Sequence, residues 1–280
     1  MNNMSAEIIL IGNELLIGKV KDTNGSYLID ELLKYGIKIN RMTIIPDDIE
    51  VIAEEIKSAI DRKPLLIFTS GGLGPTYDDM TLEGIAKALG VELNLNNEAL
   101  EQVKERYRKL KQIGRVKTED LTESKLKMAK IPINSIPLKN NAGAAPGILI
   151  NINHDKGLTK LISMPGFPDE LKSIFNDHVV PILKQLHANY YHAGLKFLNV
   201  GESDIAPDLI ELRARYPQIW IKTHPVKDNT SIIKNEIHLT MFLVDVEESN
   251  KSKLINDIIE LRETLKNRIE KLGGEVIEIY

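Results

Sequence analysis

The chain has 280 residues, which is enough for one large domain or two of medium size. A hydrophobic content of 42%, a charged content of 27% and a net charge of −4 are those of an ordinary globular protein, without the basic field typical of nucleic-acid binding. The chain has no cysteine, which excludes disulfides, zinc–thiolate sites and thiol catalysis. We see no charged-then-apolar leader and no apolar run of membrane-spanning length, and we therefore expect a cytoplasmic protein without membrane contact.

The first part of the chain alternates short apolar runs with helical patterns. Strands are predicted at residues 6–11, 37–45 and 65–68. Helical spacing of apolar residues follows each of them, and Asp48 is the predicted cap of the second helix. This order predicts an α/β fold in three αβα layers, with a mainly parallel sheet covered by helices on both faces.

Polar residues follow each predicted strand. Glu14 comes after the first strand, Asp47 after the second and a glycine-rich turn after the third. The carboxyl ends of parallel strands lie at one edge of the sheet, where open α/β sheets bind ligands. We therefore expect Glu14, Asp47 and Asp78 to converge on one cleft, although they are far apart in the sequence.

The glycine-rich turn runs from Gly71 to Thr76 and connects a buried strand to a helix that ends at Gly90. Without Cβ atoms, the backbone can turn sharply and bring its N–H groups close to a phosphate. The hydroxyl of Thr76 adds a donor. The predicted ligand-binding residues of this turn are Gly71, Gly72, Leu73, Gly74, Pro75 and Thr76.

Asp78 and Asp79 follow this turn, although bare carboxylates repel phosphate. They fit a phosphate site if a divalent cation bridges the carboxylate and phosphate oxygens. The alternative is an acidic helix start, with Asp78 as the N-cap and Asp79 in the first turn. We expect one of the two to be a cap and the other to be functional.

Residues 96–130 are helical and locally basic, and Arg106 is one of several cations that we interpret as a solvated face. A basic lid over a phosphate-bearing ligand is the alternative.

Predicted strands at 131–138 and 147–152 flank a small-residue loop in which Gly143 can lie close to a ligand. After a buried strand at 161–164, the turn with Gly166, Pro168 and Glu170 opens a helix predicted at 171–186.

From residue 190 onward the pattern changes to β-α-β-β-α-β, which predicts a ferredoxin-like α+β sandwich. Its first helix is predicted at 203–215, with Ser203 as the cap, and this cap explains Glu202 without a function.

The six histidines show no metal-ligand spacing, and we expect all of them to be structural or on the surface: His154, His178, His187, His192, His224 and His238.

Three segments together resemble the CinA family (competence/damage-inducible protein A). Gly71 to Thr76, with Asp78, Asp79 and Thr81, agrees with that family's molybdopterin-binding-like (MoCF) domain, and Ser70 stands in place of its Thr. Residues 12–16 are similar to the family's Gly-Thr-Glu-Leu-Leu, with Asn13 in place of Thr. Residues 164–170 are similar to its Leu-Pro-Gly-Pro-Pro-x-Glu, with Phe167 in place of a proline. The family also carries an asparagine at Asn24.

The resemblance implies an MoCF-like α/β domain at residues 1–187 and a small α+β domain at 188–280. The sequence ends before the amidohydrolase domain of many CinA proteins, so nicotinamide-mononucleotide deamidation is not expected. The family also implies a homodimer. Its site implies binding roles for Glu14, Asn24, Gly143, Gly166 and Pro168.

The activity that the resemblance implies is ADP-ribose pyrophosphatase, a hydrolase that yields AMP and ribose 5-phosphate. Asp78 and Asp79 would bind a divalent cation (Mg²⁺, Mn²⁺ or Co²⁺, with K⁺ as a further candidate), and Asp79 with Asp47 or Glu170 would serve catalysis. Two alternatives stay open. One is pterin-phosphate binding or adenylyl transfer in molybdenum cofactor synthesis, and the other is a non-catalytic nucleotide-binding protein.

Overall fold

The computed structural model describes residues 4–186, 188–226, 233–244 and 248–280. The chain divides into two compact units. The first comprises Met1–Leu33 and Ile37–Leu186, and the second comprises Lys34–Gly36 and His187–Tyr280.

The first unit is organised around a six-stranded sheet in the order β2-β1-β3-β8-β7-β6. Its strands, with the separate β4–β5 ribbon, are β1 (Ser5–Ile11), β2 (Lys38–Ile45), β3 (Leu66–Ser70), β4 (Leu93–Leu95), β5 (Lys130–Pro132), β6 (Ile136–Leu138), β7 (Gly147–His154) and β8 (Gly157–Met164). The first four strands in this order are parallel to one another, and β7 runs antiparallel to both of its neighbours, β8 and β6. The predicted mainly parallel sheet is confirmed.

Helices cover both faces of this sheet. They are α1 (Asn13–Leu16), α2 (Asn24–Lys34), α3 (Ile49–Asp61), α4 (Thr81–Leu89), α5 (Asn97–Gln112), α6 (Glu123–Lys127), α7 (Pro168–Ile174), a π-helical stretch (Phe175–Val179) and α8 (Val180–Leu183). On one face Ile9 and Ile67 form a core with α3, α4 and α5. On the other face Phe68 packs against Phe175, whose ring meets Tyr27 of α2. None of the helices described here is both long enough and apolar enough to cross a membrane.

Two elements in this unit differ from the sequence-based expectation. The helix predicted at 171–186 begins at Pro168 and contains the π-helical stretch. Pro181 has no N–H to donate to the carbonyl four residues earlier, which is a local reason for the irregular turn. The strand predicted at 131–138 is divided, because β5 pairs with β4 while β6 pairs with β7.

The second unit is a four-stranded antiparallel sheet in the order β10-β11-β9-β12. Its elements are β9 (Ala188–Leu198), α9 (Glu202–Arg215), β10 (Trp220–Pro225), β11 (Lys234–Val244), α10 (Glu248–Lys271) and β12 (Glu275–Ile279). This order is that of the predicted ferredoxin-like sandwich. Ser203 is not the helix cap: Gly201 holds that position, and its N–H donates to Asp204 Oδ2 at 3.0 Å.

Three of the six histidines meet on one face of the second sheet. His192 and His238 stack with ring centroids 5.3 Å apart, and His224 meets His238 edge-on at 5.1 Å. They meet because β9, β10 and β11 are neighbours in the sheet and side chains on alternate positions share a face. His187 lies outside the described residues.

Candidate functional site

The carboxyl ends of β2, β1, β3 and β8 lie side by side along one edge of the first sheet. The chain leaves β1 toward α2 on one face of the sheet and leaves β3 toward α4 on the other face. A crevice therefore opens between the ends of β1 and β3, at the point where the connections change sides. In open α/β sheets this position binds ligands.

The glycine loop, Gly71–Gly74, lies across this crevice. Gly71 has a φ of 114°, and a Cβ there would overlap the carbonyl oxygen of Ile11 at the end of β1. Its N–H donates to the carbonyl of Met164 at 3.0 Å, so the loop also contacts the end of β8. Thr81 holds the loop from the other side, since its hydroxyl donates to the Gly71 carbonyl at 2.8 Å. The loop is thus fixed against three strand or helix ends.

Asp79 organises the second half of the loop. Its Oδ2 accepts from the Thr76 N–H at 2.7 Å and from the Thr76 hydroxyl at 2.6 Å. A Cβ on Gly74 would lie 2.6 Å from the same oxygen, so a larger residue there would displace this carboxylate. The carboxylate therefore has a structural role in the turn.

Asp78 is exposed and lies beside the same hydroxyl. A hydrogen bond from Thr76 is the main reason that the pKa of Asp78 lies below its usual value, and the charge of Lys127 adds to this effect. The expectation that either Asp78 or Asp79 caps the following helix is wrong. α4 begins at Thr81, and its N-cap is Met80, which makes no side-chain capping bond. Of the two carboxylates, Asp78 is the one left facing water.

Carboxylates from three loops gather beside the glycine loop. Asp47 Oδ2 accepts from the Asn13 N–H at 2.7 Å, which links the loops after β1 and β2. Burial raises the pKa of Asp47, whereas the hydrogen bond from the Asn13 N–H lowers it. The negative charges of Glu14, Asp78 and Asp79 raise the pKa further. The structure therefore brings together the acidic residues that the sequence pattern placed at one edge.

Asn24 is 8% exposed and joins two other walls of the crevice. Its side-chain amide donates to Ser70 Oγ at 2.9 Å and to the Gly166 carbonyl at 2.7 Å. Gly166 in turn comes close to the glycine loop, because a Cβ there would lie 3.4 Å from Gly71 Cα. Asn24 thus acts inside the cleft wall rather than as a plain turn residue.

Glu170 lies in a different part of the wall. Its Oε2 accepts from Asn140 Nδ2 at 2.6 Å, and a Cβ on Gly143 would overlap its carboxylate. Burial raises the pKa of Glu170, while the hydrogen bond from Asn140 and the charge of Arg106 oppose that rise. The interpretation of Arg106 as part of a solvated face is wrong, since it donates to the Ala142 carbonyl at 2.6 Å. Glu170 is thus tied to the loop between β6 and β7.

Lys127 is a cleft residue that the sequence pattern did not indicate. Its Nζ donates to the Thr76 carbonyl at 3.1 Å and lies 3.4 Å from a carboxylate oxygen of Glu83. It reaches the loop because α6 packs near it, 51 residues further along the chain. Only knowledge of the tertiary packing would have placed it there.

Two other predicted binding residues have a mainly structural role. Leu73 is 3% exposed and its side chain belongs to the hydrophobic core, so only its backbone is available to a ligand. Pro168 is the first residue of α7, where its fixed φ favours helix initiation. Pro75 stays partly exposed within the glycine turn.

The donor set of the cleft is made of carboxylates, which are hard oxygen ligands that suit Mg²⁺ or Mn²⁺. Among the described ranges there is no group of three or more His, Cys, Asp or Glu side chains with the spacing to hold a metal ion by itself. Mg²⁺ commonly binds through one or two carboxylates and completes its shell with water and phosphate oxygens. Asp78 is a carboxylate of this cleft that faces water.

Comparison with known proteins gives one family and several full-length relatives. The model of a family described as a probable molybdopterin binding domain matches residues 7–185. A protein of Sulfolobus acidocaldarius is 39% identical over 280 residues, covering 100% of both chains. A protein of Sulfurisphaera tokodaii is 38% identical over 274 residues, covering 98% of each. The crystal structure of the protein CinA, of unknown function, from Thermoplasma acidophilum is 34% identical, with a TM-score of 0.57 over 65% of this chain and 99% of that one.

Proposed function

Because the chain belongs to the CinA family, with a probable molybdopterin binding domain over residues 7–185, we propose that its cleft binds a phosphate-bearing nucleotide or pterin. Within that class, the proposed activity is hydrolysis of a nucleotide diphosphate, with ADP-ribose as the first candidate. The choice of ADP-ribose rests on the family resemblance, since fold alone does not define a substrate.

One observation supports hydrolysis over simple binding. Four carboxylates lie beside a glycine loop of the type that holds phosphate, and burial, followed by the charges of the other three, raises the pKa of Asp47. A phosphate group would be repelled from this place unless a cation neutralised the carboxylates. We therefore propose a divalent cation (Mg²⁺, Mn²⁺ or Co²⁺), held by Asp78 together with the phosphates of the ligand, with K⁺ as a further candidate. Such a cation polarises the phosphorus and neutralises developing charge.

The chain's own residues then have separate tasks. Backbone N–H groups of the glycine loop orient the diphosphate, and Asp79 keeps that loop in shape through Thr76. Asp47 accepts the proton of the attacking water, which forms a new P–O bond as the anhydride P–O bond breaks. Glu170 is the second candidate base, and its place beside Asn140 favours a structural task.

The second candidate function is pterin-phosphate binding or adenylyl transfer. The description of the matching family favours it. Against it stands Leu73, whose position in those enzymes usually carries a threonine hydroxyl. Because the Leu73 side chain is in the core, it supplies no polar contact. A non-catalytic nucleotide-binding protein is the third class.

Incubating the pure protein with ADP-ribose and each divalent cation, and measuring AMP, tests the proposal. AMP should form with the wild type and be lost in Asp47→Asn and Asp78→Asn, while the control Asp61→Asn, exposed at the end of α3, should keep the activity. Calorimetric binding without AMP would favour the pterin-binding or non-catalytic class. Absence of both binding and AMP would refute the proposal.

Two further expectations stay proposals. We propose that residues 1–187 contain the complete binding site, because every cleft residue named above precedes residue 171. We also propose a homodimer, on the basis of the family resemblance. Calorimetry on the 1–187 fragment tests the first, and light scattering of the full chain tests the second.

A further inference from the structure

An aromatic side chain is held in water at the rim of the cleft. Phe167 is 74% exposed, although a phenyl ring gains by leaving water. Its backbone is nevertheless fixed: its carbonyl accepts from the N–H groups of Glu170 at 3.1 Å and Leu171 at 3.0 Å. Pro168 follows as the first residue of α7. The Phe167 side chain is therefore exposed although its backbone, which we call the support, is held in place by the start of α7.

The support lies next to the glycine loop. Gly166 precedes Phe167, its carbonyl is held by Asn24 at 2.7 Å, and a Cβ on it would lie 3.4 Å from Gly71 Cα. Phe167 therefore stands one residue from the point where the loops after β3 and β8 touch. A ligand whose phosphates lie on the glycine loop has this ring as its neighbour on the β8 side.

We propose that Phe167 is the platform on which the flat heterocyclic ring of the ligand stacks, and that it makes the cleft selective for ring-bearing phosphates. This inference rests on the proposed function and specifies its substrate class as a nucleotide or pterin rather than a sugar phosphate. Stacking on an aromatic side chain suits any flat base, because every base has a π-face. Phe167 carries no polar group, so its exposed area serves contact only.

Tyr77 is the competing aromatic residue, with 86% of its surface exposed. It follows Thr76, whose carbonyl is held by Lys127 of α6, and it precedes the ionised Asp78. Tyr77 therefore lies on the α6 side of the loop, whereas Phe167 lies on the β8 side. This difference makes Tyr77 a matched control for an exposed aromatic residue on the same cleft.

The test compares ring-bearing and ring-free probes by titration calorimetry with the full-length chain and Mg²⁺. The probes are α,β-methylene ADP-ribose, whose bridge is not hydrolysed, neopterin phosphate and ribose 5-phosphate, and the variants are Phe167→Ala, Phe167→Trp and Tyr77→Ala. Phe167→Ala should weaken binding of the ring-bearing probe by about 5- to 100-fold and change ribose 5-phosphate less than about twofold. Phe167→Trp should keep the affinity, and its added fluorescence should change when a ring-bearing probe binds.

The outcomes separate the two proposals. Equal weakening of ring-bearing and ring-free probes in Phe167→Ala, or no weakening at all, overturns the role of Phe167. A selective loss in Tyr77→Ala instead assigns the platform to Tyr77 and also overturns it. If the wild type binds neopterin phosphate but not α,β-methylene ADP-ribose, the nucleotide proposal fails while the stacking comparison stands. If the wild type binds none of the probes, both proposals fail.

Discussion

The side-chain amide of Asn24 donates to the carbonyl of Gly166 at 2.7 Å, across 142 residues of sequence. The same amide donates to Ser70 Oγ at 2.9 Å. One buried side chain thus joins the start of α2, the end of β3 and the loop after β8. Because these elements form the walls of the cleft, their mutual position depends on two hydrogen bonds from a single residue.

Asn24→Ala should lower the free energy of unfolding by about 1–3 kcal/mol, because it leaves buried acceptors without a donor. Asn24→Asp should be at least as damaging, since a carboxylate cannot donate to either acceptor. Urea unfolding measures both variants against Asn94→Ala, an exposed position on β4. An Asn24→Ala variant as stable as this control would show that the two hydrogen bonds are unimportant.

The glycine loop allows a comparison between two left-handed glycines. Gly71→Ala should abolish ligand binding and destabilise the first unit, because its Cβ would overlap the carbonyl of Ile11 at a φ of 114°. Gly18 also has a positive φ, 70°, but its Cβ would meet no atom within 4 Å. Gly18→Ala should therefore cost only the roughly 1–2 kcal/mol of left-handed backbone.

Thermal unfolding and calorimetric binding of ADP-ribose measure both variants. The two curves should separate clearly, with Gly71→Ala the less stable. Equal destabilisation would mean that backbone conformation alone, and not contact with β1, requires glycine in the loop.

The pKa of Asp78 should depend mainly on Thr76. Thr76→Val removes the hydroxyl that is the main cause of the lowered pKa, so the pKa of Asp78 should rise. Lys127→Met should raise it less, because the charge of Lys127 is a smaller cause. Carboxyl-carbon NMR titration measures both values, with Lys130→Met as a control on the neighbouring strand. A larger rise in Lys127→Met than in Thr76→Val would contradict this order.

The sequence predicted the sheet well because periodicity and turn residues are local signals. Apolar runs and Asp48 were enough to place β1 to β3 and the start of α3. The convergence of Glu14, Asp47 and Asp78 also followed, since parallel strands bring their ends to one edge whatever the sequence separation. The positions of these three carboxylates could therefore be predicted from the strand topology.

What the sequence missed depends on tertiary contacts. Asp78 and Asp79 are equivalent in the sequence, and only the fold of the loop makes Asp79 bind the Thr76 N–H while Asp78 faces water. Lys127 and Arg106 have the composition of a solvated face, yet the packing of α5 and α6 turns them toward backbone carbonyls. The stacked histidines needed the strand order β10-β11-β9, which no local pattern gives.

The last prediction concerns Asp47 and the dependence of stability on pH. Its pKa is raised above the ordinary value of 3.8 in the folded chain, mainly by burial and then by neighbouring carboxylates. Between the ordinary and the raised pKa, the folded state therefore binds more protons than the unfolded state. The contribution of Asp47 to the free energy of unfolding should thus fall as the pH rises through that window, and should stay low at neutral pH.

Asp47→Asn should remove this dependence, because an amide does not ionise and its oxygen can still accept from the Asn13 N–H. Relative to the wild type, the variant should gain stability as the pH rises from acidic to neutral values. Urea unfolding across this range measures the difference, with Asp61→Asn as the control. Added Mg²⁺ should reduce the difference at neutral pH, because a cation that binds the carboxylates stabilises the folded wild type. A difference that is constant with pH, or that grows toward acidic pH, would show that repulsion at Asp47 does not destabilise the cleft.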